Sequence, residues 1–131
     1  ARDGSLSSIH ANSPRDALMR LETLAAMTGL NFQSIFIRKY ISSALNIIIH
    51  LARLVDGSRR IISFQEISGM EGDTIILQEI FSFEQIGLDE EGKVKGRFRA
   101  KGYRPTFVDK FRALNIPIPY DLFDTDKVHE I

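Results

Sequence analysis

Between Asn46 and Lys101 the chain alternates β-branched and aromatic segments with three acidic, glycine-containing breaks: Asp56-Gly57, Glu71-Gly72-Asp73 and Asp89-Glu90-Glu91-Gly92. Breaks of this kind between apolar runs close hairpins, because glycine reaches backbone conformations that other residues resist. The pattern predicts strands near 47–54, 59–68, 74–83 and 93–99, linked as an antiparallel meander. Ile47-Ile48-Ile49 has no polar alternation, which suits a strand covered on both faces.

Upstream of the meander the periodicity is helical. Ala17, Leu18, Leu21, Leu24, Ala25 and Thr28 keep to one face of a helix over 14–28, and Gly29 stops it. Ser13 is the expected N-cap, Pro14 suits the first helical position, and Asp16 stands where a capping-box acid belongs. A second stripe, Phe32, Ile35, Phe36, Tyr40, Ile41, Ala44 and Leu45, predicts a helix over 33–45 that folds back over the same sheet face. A short helix over 106–114 follows Pro105, and Pro117 and Pro119 bar its continuation. Ser5–Ile9 is expected to be a short strand entering the first helix. The expected fold is therefore one α/β unit: helices on a mixed sheet, antiparallel in its second half.

A chain of 131 residues is long enough for one ordinary core, and 44% hydrophobic with 26% charged residues is a globular balance. Lys plus Arg equal Asp plus Glu at 17 each, so no global field selects a polyanion. The absence of cysteine excludes a disulfide framework. No apolar run approaches the ~20 residues that span a bilayer. The expected compartment is cytoplasmic.

His10 lies at the predicted strand-to-helix junction, beside backbone N–H groups and a dipole that favour an anion. An imidazole at such a corner can hydrogen-bond a phosphate or an attacking water. Asp3, Ser5, Ser7, Ser8 and His10 do not form a nucleophile elbow, which needs Gly-x-Ser-x-Gly. His10, His50 and His129 are scattered, without ligand-like spacing, so no metal site is expected. Arg59 and Arg60 follow a tight turn and should point to opposite faces, as a solvated hairpin base or an intersubunit contact. Lys93, Lys95, Arg97, Arg99 and Lys101 recur every second residue, one row of cations on an extended strand. Such a row can meet single-stranded nucleic acid, anionic lipid or an acidic protein surface, or can simply guard a sheet edge against aggregation.

The wording of these segments resembles one family. Gly4-Ser-Leu-Ser-Ser-Ile-His-Ala-Asn-Ser-Pro-Arg-Asp-Ala-Leu18 with Arg20-Leu21-Glu22 is similar to the histidine box of type II/type IV secretion ATPases, nearest the CpaF-type motors of tight-adherence (Flp) pili. Further similar motifs follow in order: Lys39-Tyr-Ile-Ser-Ser-Ala-Leu-Asn-Ile-Ile-Ile49, Arg53-Leu-Val-Asp-Gly-Ser-Arg-Arg60 and Glu66-Ile-Ser-Gly-Met-Glu-Gly-Asp73. Gly96-Arg97-Phe98 and Gly102-Tyr-Arg-Pro105 complete the set. The branch carries Gly-His ahead of the Asp-Gly pair, where this chain has Ala1-Arg2, and Arg2 receives no role.

The resemblance implies the distal part of a RecA-like P-loop ATPase domain, with His10 near the γ-phosphate in a supporting role. It also implies a homo-hexamer that uses ATP and magnesium at the inner membrane, working with pilus or secretion platform proteins. Gly-x-x-x-x-Gly-Lys-[Ser/Thr] is missing: the one Gly-Lys, Gly92-Lys93, precedes Val94 and has no glycine at the required spacing. The chain is thus expected to be a C-terminal portion that neither binds a cofactor nor hydrolyses ATP alone. Its Ser5–Ile9 strand would be left unpaired and prone to join another copy. The rival expectation is a noncatalytic interaction domain that binds a membrane platform protein, or less favourably nucleic acid, through the basic strand.

Overall fold

The computed structural model describes residues 4–29 and 33–130. Two helices, α1 (Pro14–Ala26) and α2 (Ser34–Ala44), precede four long strands, β1 (Ile47–Arg53), β2 (Arg59–Glu71), β3 (Thr74–Leu88) and β4 (Val94–Ala100). A short helix α3 (Phe107–Ala113) and a three-residue strand β5 (Val128–Glu130) follow. The strands form one open sheet in the order β1-β2-β3-β4-β5, and every pairing is antiparallel.

The expected meander is present, with β2 and β3 longer than anticipated. The expected mixed sheet is not: each connection is a hairpin or a chain return, so no parallel pair arises among the described residues. Nor is Ser5–Ile9 a strand. That segment is irregular, with Leu6 fully exposed and Ile9 exposed, since no strand among the described residues offers it a ladder. β5 was not anticipated, because three residues carry too little pattern.

Local chemistry accounts for the element ends. The Ser13 side chain accepts from the Asp16 N–H at 3.0 Å and Pro14 opens α1, while Gly29 sits at φ +79 beyond its last turn. α3 closes with Asn115 at φ 57, its N–H reaching the Arg112 carbonyl and the Ile116 N–H reaching that of Phe111 at 2.8 Å. This is the Schellman arrangement, with asparagine in the usual place of glycine. The β1–β2 turn closes through Leu54 N–H to the Ser58 carbonyl, with Gly57 at φ +83.

The sheet is covered on both faces. Leu18, Ile67 and Ile75 are buried on the α1–α2 side, with Ile41, Leu45, Ile48, Met70 and Leu77 around them. Ile80, Val108 and Phe123 are buried in a second cluster with Ile47, Phe64, Phe81, Tyr103, Phe107, Ile118 and Leu122. Ile47 and Ile48 are adjacent in β1 and therefore point to opposite faces. One packs in each cluster, which accounts for the first two residues of the apolar run, while Ile49 stays exposed.

Candidate functional site

The helix N-terminus beside His10 is already capped by its own chain. Pro14 has no N–H, Asp16 N–H goes to the Ser13 hydroxyl, and Ala17 N–H goes to the Ser13 carbonyl at 2.9 Å. The Asp16 carboxylate accepts from the Asn12 N–H at 2.9 Å and from Arg20 Nε at 3.0 Å. The Asn12 amide first, then Arg20, hold its pKa below the ordinary carboxylate value. The anion favoured at this helix end is thus supplied by Asp16, one residue off the usual reciprocal capping box. His10 is exposed and lies three residues before the cap. No side chain among the described residues hydrogen-bonds to it. Asp3 and Arg2 lie outside the described residues.

The Asp56-Gly-Ser-Arg-Arg segment is built as a clamp on the next hairpin. Asp56 accepts from the Ser58 hydroxyl, from the Ser58 N–H at 2.9 Å and from the Val94 N–H at 2.8 Å, 38 positions away. The Ser58 hydroxyl, then the two backbone donors, hold its carboxyl far below the usual range, with Lys93 adding attraction. Arg60 reaches the Val94 carbonyl at 3.2 Å and lies 5.9 Å from the Phe83 ring centroid. Arg59 is exposed. The two arginines diverge as expected: Arg60 joins hairpins within the chain, and Arg59 faces outward.

The basic row is largely neutralised within the sheet. Arg97 and Arg99 share Glu84, at 3.3 and 2.8 Å, and Lys101 approaches Glu79 at 4.0 Å. Arg99 first, then Arg97, lower the Glu84 pKa. Lys93 and Lys95 are exposed and have no ion pair among the described residues. Alternation on the strand was legible in the sequence. The carboxylates opposite it were not, because cross-strand register depends on bulges in β2 and β3.

The most buried polar centre is Glu66, which sequence reasoning placed in a motif without giving it a role. Its side of β2 faces the cluster of Ile80, Val108 and Phe123, and the residue is only 3% exposed. Its carboxylate accepts from Tyr103 Oη at 2.6 Å, Thr106 N–H at 3.0 Å and Thr106 Oγ1 at 2.8 Å. Burial pushes its pKa up, but the donors from Thr106 and Tyr103 outweigh that and leave it lowered. Tyr103 is pushed up to about 12 by burial and by the Glu66 carboxylate. Two motifs separated by 37 residues thus meet in one clasp that seats the C-terminal segment on the sheet.

Two concavities flank these features. A cleft of about 250 Å³ lies between α1, α2 and the β2–β3 turn, where Arg38 joins Glu22 at 3.1 Å and the Asp73 carbonyl at 3.1 Å. An apolar groove of about 260 Å³ is lined by Ile61, Phe64, Phe81, Phe98, Leu122 and His129. No cluster of His, Cys, Asp or Glu suited to a metal occurs among the described residues. No described helix is long and apolar enough to cross a membrane. Comparison with protein-family models gives no match, and comparison with curated proteins gives none.

Proposed function

We propose that this chain is the C-terminal portion of a hexameric ATPase that powers pilus assembly or type II/type IV secretion. The observation that carries the reading is the ordered set of motifs, from Gly4–Leu18 through Arg53–Arg60 and Glu66–Asp73 to Gly102–Pro105. Their joint use supports it: Asp56 ties the third motif to the start of β4, and Glu66 ties the fourth to the last. In this reading the sheet is the distal part of a RecA-like domain, and ATP and magnesium are held by residues upstream of the histidine box. His10 then acts at the nucleotide, as hydrogen-bond donor or acceptor to a phosphate or to the attacking water. Its exposure leaves it accessible to such a partner. The complete ring works at the cytoplasmic side of the inner membrane with platform proteins of the pilus or secretion machine.

The rival reading, a noncatalytic interaction domain using the basic strand, has less support. Arg97, Arg99 and Lys101 are engaged by Glu84 and Glu79, which leaves Lys93, Lys95 and the outward Arg59.

The test compares this chain alone with the chain joined to the region encoded upstream. The chain alone should show no magnesium-dependent ATP hydrolysis, and the joined protein should hydrolyse ATP. In the joined protein His10→Ala should reduce turnover at unchanged melting temperature. An upstream region without a phosphate-binding loop, or unchanged turnover and export in the variant, rejects the reading.

A further inference from the structure

Among the described residues, Arg38 is the one side chain that hydrogen-bonds the helix pair to the sheet. Its Nε donates to Glu22 Oε2 on α1 at 3.1 Å, and its Nη1 donates to the Asp73 carbonyl in the β2–β3 turn at 3.1 Å. The Asp73 carboxylate lies 3.7 Å from the same Nη1. A planar guanidinium holds two such acceptors at a fixed angle, which a lysine ammonium does not. The segments that meet here belong to three of the ordered motifs: Glu22 ends the histidine-box segment, Arg38 directly precedes Lys39–Ile49, and Asp73 ends Glu66–Asp73. α1 itself is lightly seated. Of its 13 residues Pro14, Ala17 and Leu18 are buried, all in its first half, while Met19 and Leu24 are exposed. Leu18 packs with Ile67 and Ile75 and serves as a pivot. Glu22 lies one turn further on the same face, about 6 Å along the axis, so its bond to Arg38 fixes the tilt of the helix about Leu18.

We infer that Arg38 is a positioning residue: it sets the direction of α1 on the sheet and, through α1, the place of His10. His10 stands beyond the opposite end of the helix from Glu22. The chain between His10 and the helix is tied in by the cap, since the Asn12 N–H reaches the Asp16 carboxylate and the Ser13 hydroxyl holds the Asp16 N–H. A tilt released at Glu22 is therefore carried across the Leu18 pivot to the histidine-box end. Partly exposed ion pairs contribute little to global stability, so loss of Arg38 frees the direction of α1 without unfolding the chain. The consequence for turnover rests on the motor reading, in which His10 acts at a phosphate or an attacking water, and there a misplacement of ~1 Å costs up to ~100-fold in rate. The docking of α1 does not depend on that reading.

The chain contains no cysteine, so Thr23→Cys on α1 and Lys95→Cys on β4, both at exposed positions, accept one pair of spin labels. Pulsed electron spin resonance on the 131-residue chain should give one narrow distance distribution. Arg38→Ala should shift or broaden it while the melting temperature falls by no more than about 5 °C. Arg38→Lys, which keeps the charge and loses the fork, should do the same. Glu22→Gln, which weakens the bond from the side of α1, should repeat the effect in smaller measure. In the protein joined to its upstream region, Arg38→Ala should lower kcat about tenfold or more at unchanged KM for ATP, and Arg38→Lys should not restore it. A purely stabilising role would move the melting temperature and leave the distances and kcat where they were. An unchanged distance distribution overturns the inference. So does an unchanged kcat in a joined protein that His10→Ala impairs. A joined protein without ATP hydrolysis rejects the motor reading and takes the turnover role of Arg38 with it, while the distances still decide the docking of α1.

Discussion

On the helix-bearing face of the sheet the buried residues are aliphatic, and the group at the rim is a half-exposed ion pair, Arg38 with Glu22. The opposite face is built from aromatic rings, Phe81 against Phe64, Phe123 and His129, around Ile80, which is wholly buried. There the polar group is inside: Glu66 holds Tyr103 and Thr106 across 37 and 40 residues. The first face needs little more than apolar area and a helical period, and exposed ion pairs add little to it. The second consists of a poorly patterned C-terminal segment, and a charge-assisted clasp selects where that segment sits.

Truncation should separate the two faces most clearly. Ile80→Ala removes the best-buried side chain and should cost about 4 kcal/mol, against about 3 kcal/mol for Leu18→Ala across the sheet. Urea unfolding monitored by circular dichroism checks both, and a larger loss at Leu18 would reverse the ranking of the faces.

Glu66→Gln should cost about 2 kcal/mol at pH 7, because a neutral amide is a weaker acceptor for three converging donors. The pH dependence is the sharper readout. Folding lowers the Glu66 pKa below the ordinary glutamate value of 4.5, so its contribution is complete above that value and is lost as pH falls through the folded pKa. The stability gap between wild type and Glu66→Gln should therefore be flat above pH about 6 and shrink below pH about 4.5. A gap unchanged down to pH about 3 would mean that the carboxylate charge contributes nothing to the clasp.

Gly96→Ala probes the aromatic face through its backbone. A Cβ there would lie 2.0 Å from Phe83 Cζ, so the ring must leave its place against Phe98 and Arg60. We expect a loss of about 2 kcal/mol, reduced when Phe83→Leu is combined with it. Additive losses would show that the ring is not what excludes the side chain.

The smallest effect belongs to the helix face. Ser13→Ala removes the acceptor for Asp16 N–H and should cost about 1 kcal/mol, leaving the Glu66 clasp and its pH profile unchanged.

Caps, turns and strand positions were legible because their causes are local. Ser13 and Pro14 start a helix by nearest-neighbour chemistry, Gly57 closes a turn by its own φ, and Ile47–Ile49 reads as a strand from its composition alone, with Ile47 and Ile48 covered and Ile49 left 46% exposed. The same local rules over-reached at Ser5–Ile9, because a strand exists only when another lies beside it, and none does among the described residues. They placed His10 beside the start of α1, and only the structure shows that the Asp16 carboxylate there accepts from the Asn12 N–H.

By its own order, then, the sequence determined a helix pair followed by an antiparallel meander, and the motifs on which the motor proposal stands. Tertiary structure decided the rest: which carboxylates meet the cations of β4, which partner Glu66 takes, and which edge of the sheet is left open. Those outcomes depend on register and chain return, set by bulges and by contacts some 40 residues apart. The free energy of such contacts is shared between distant segments, so no window along the chain contains it.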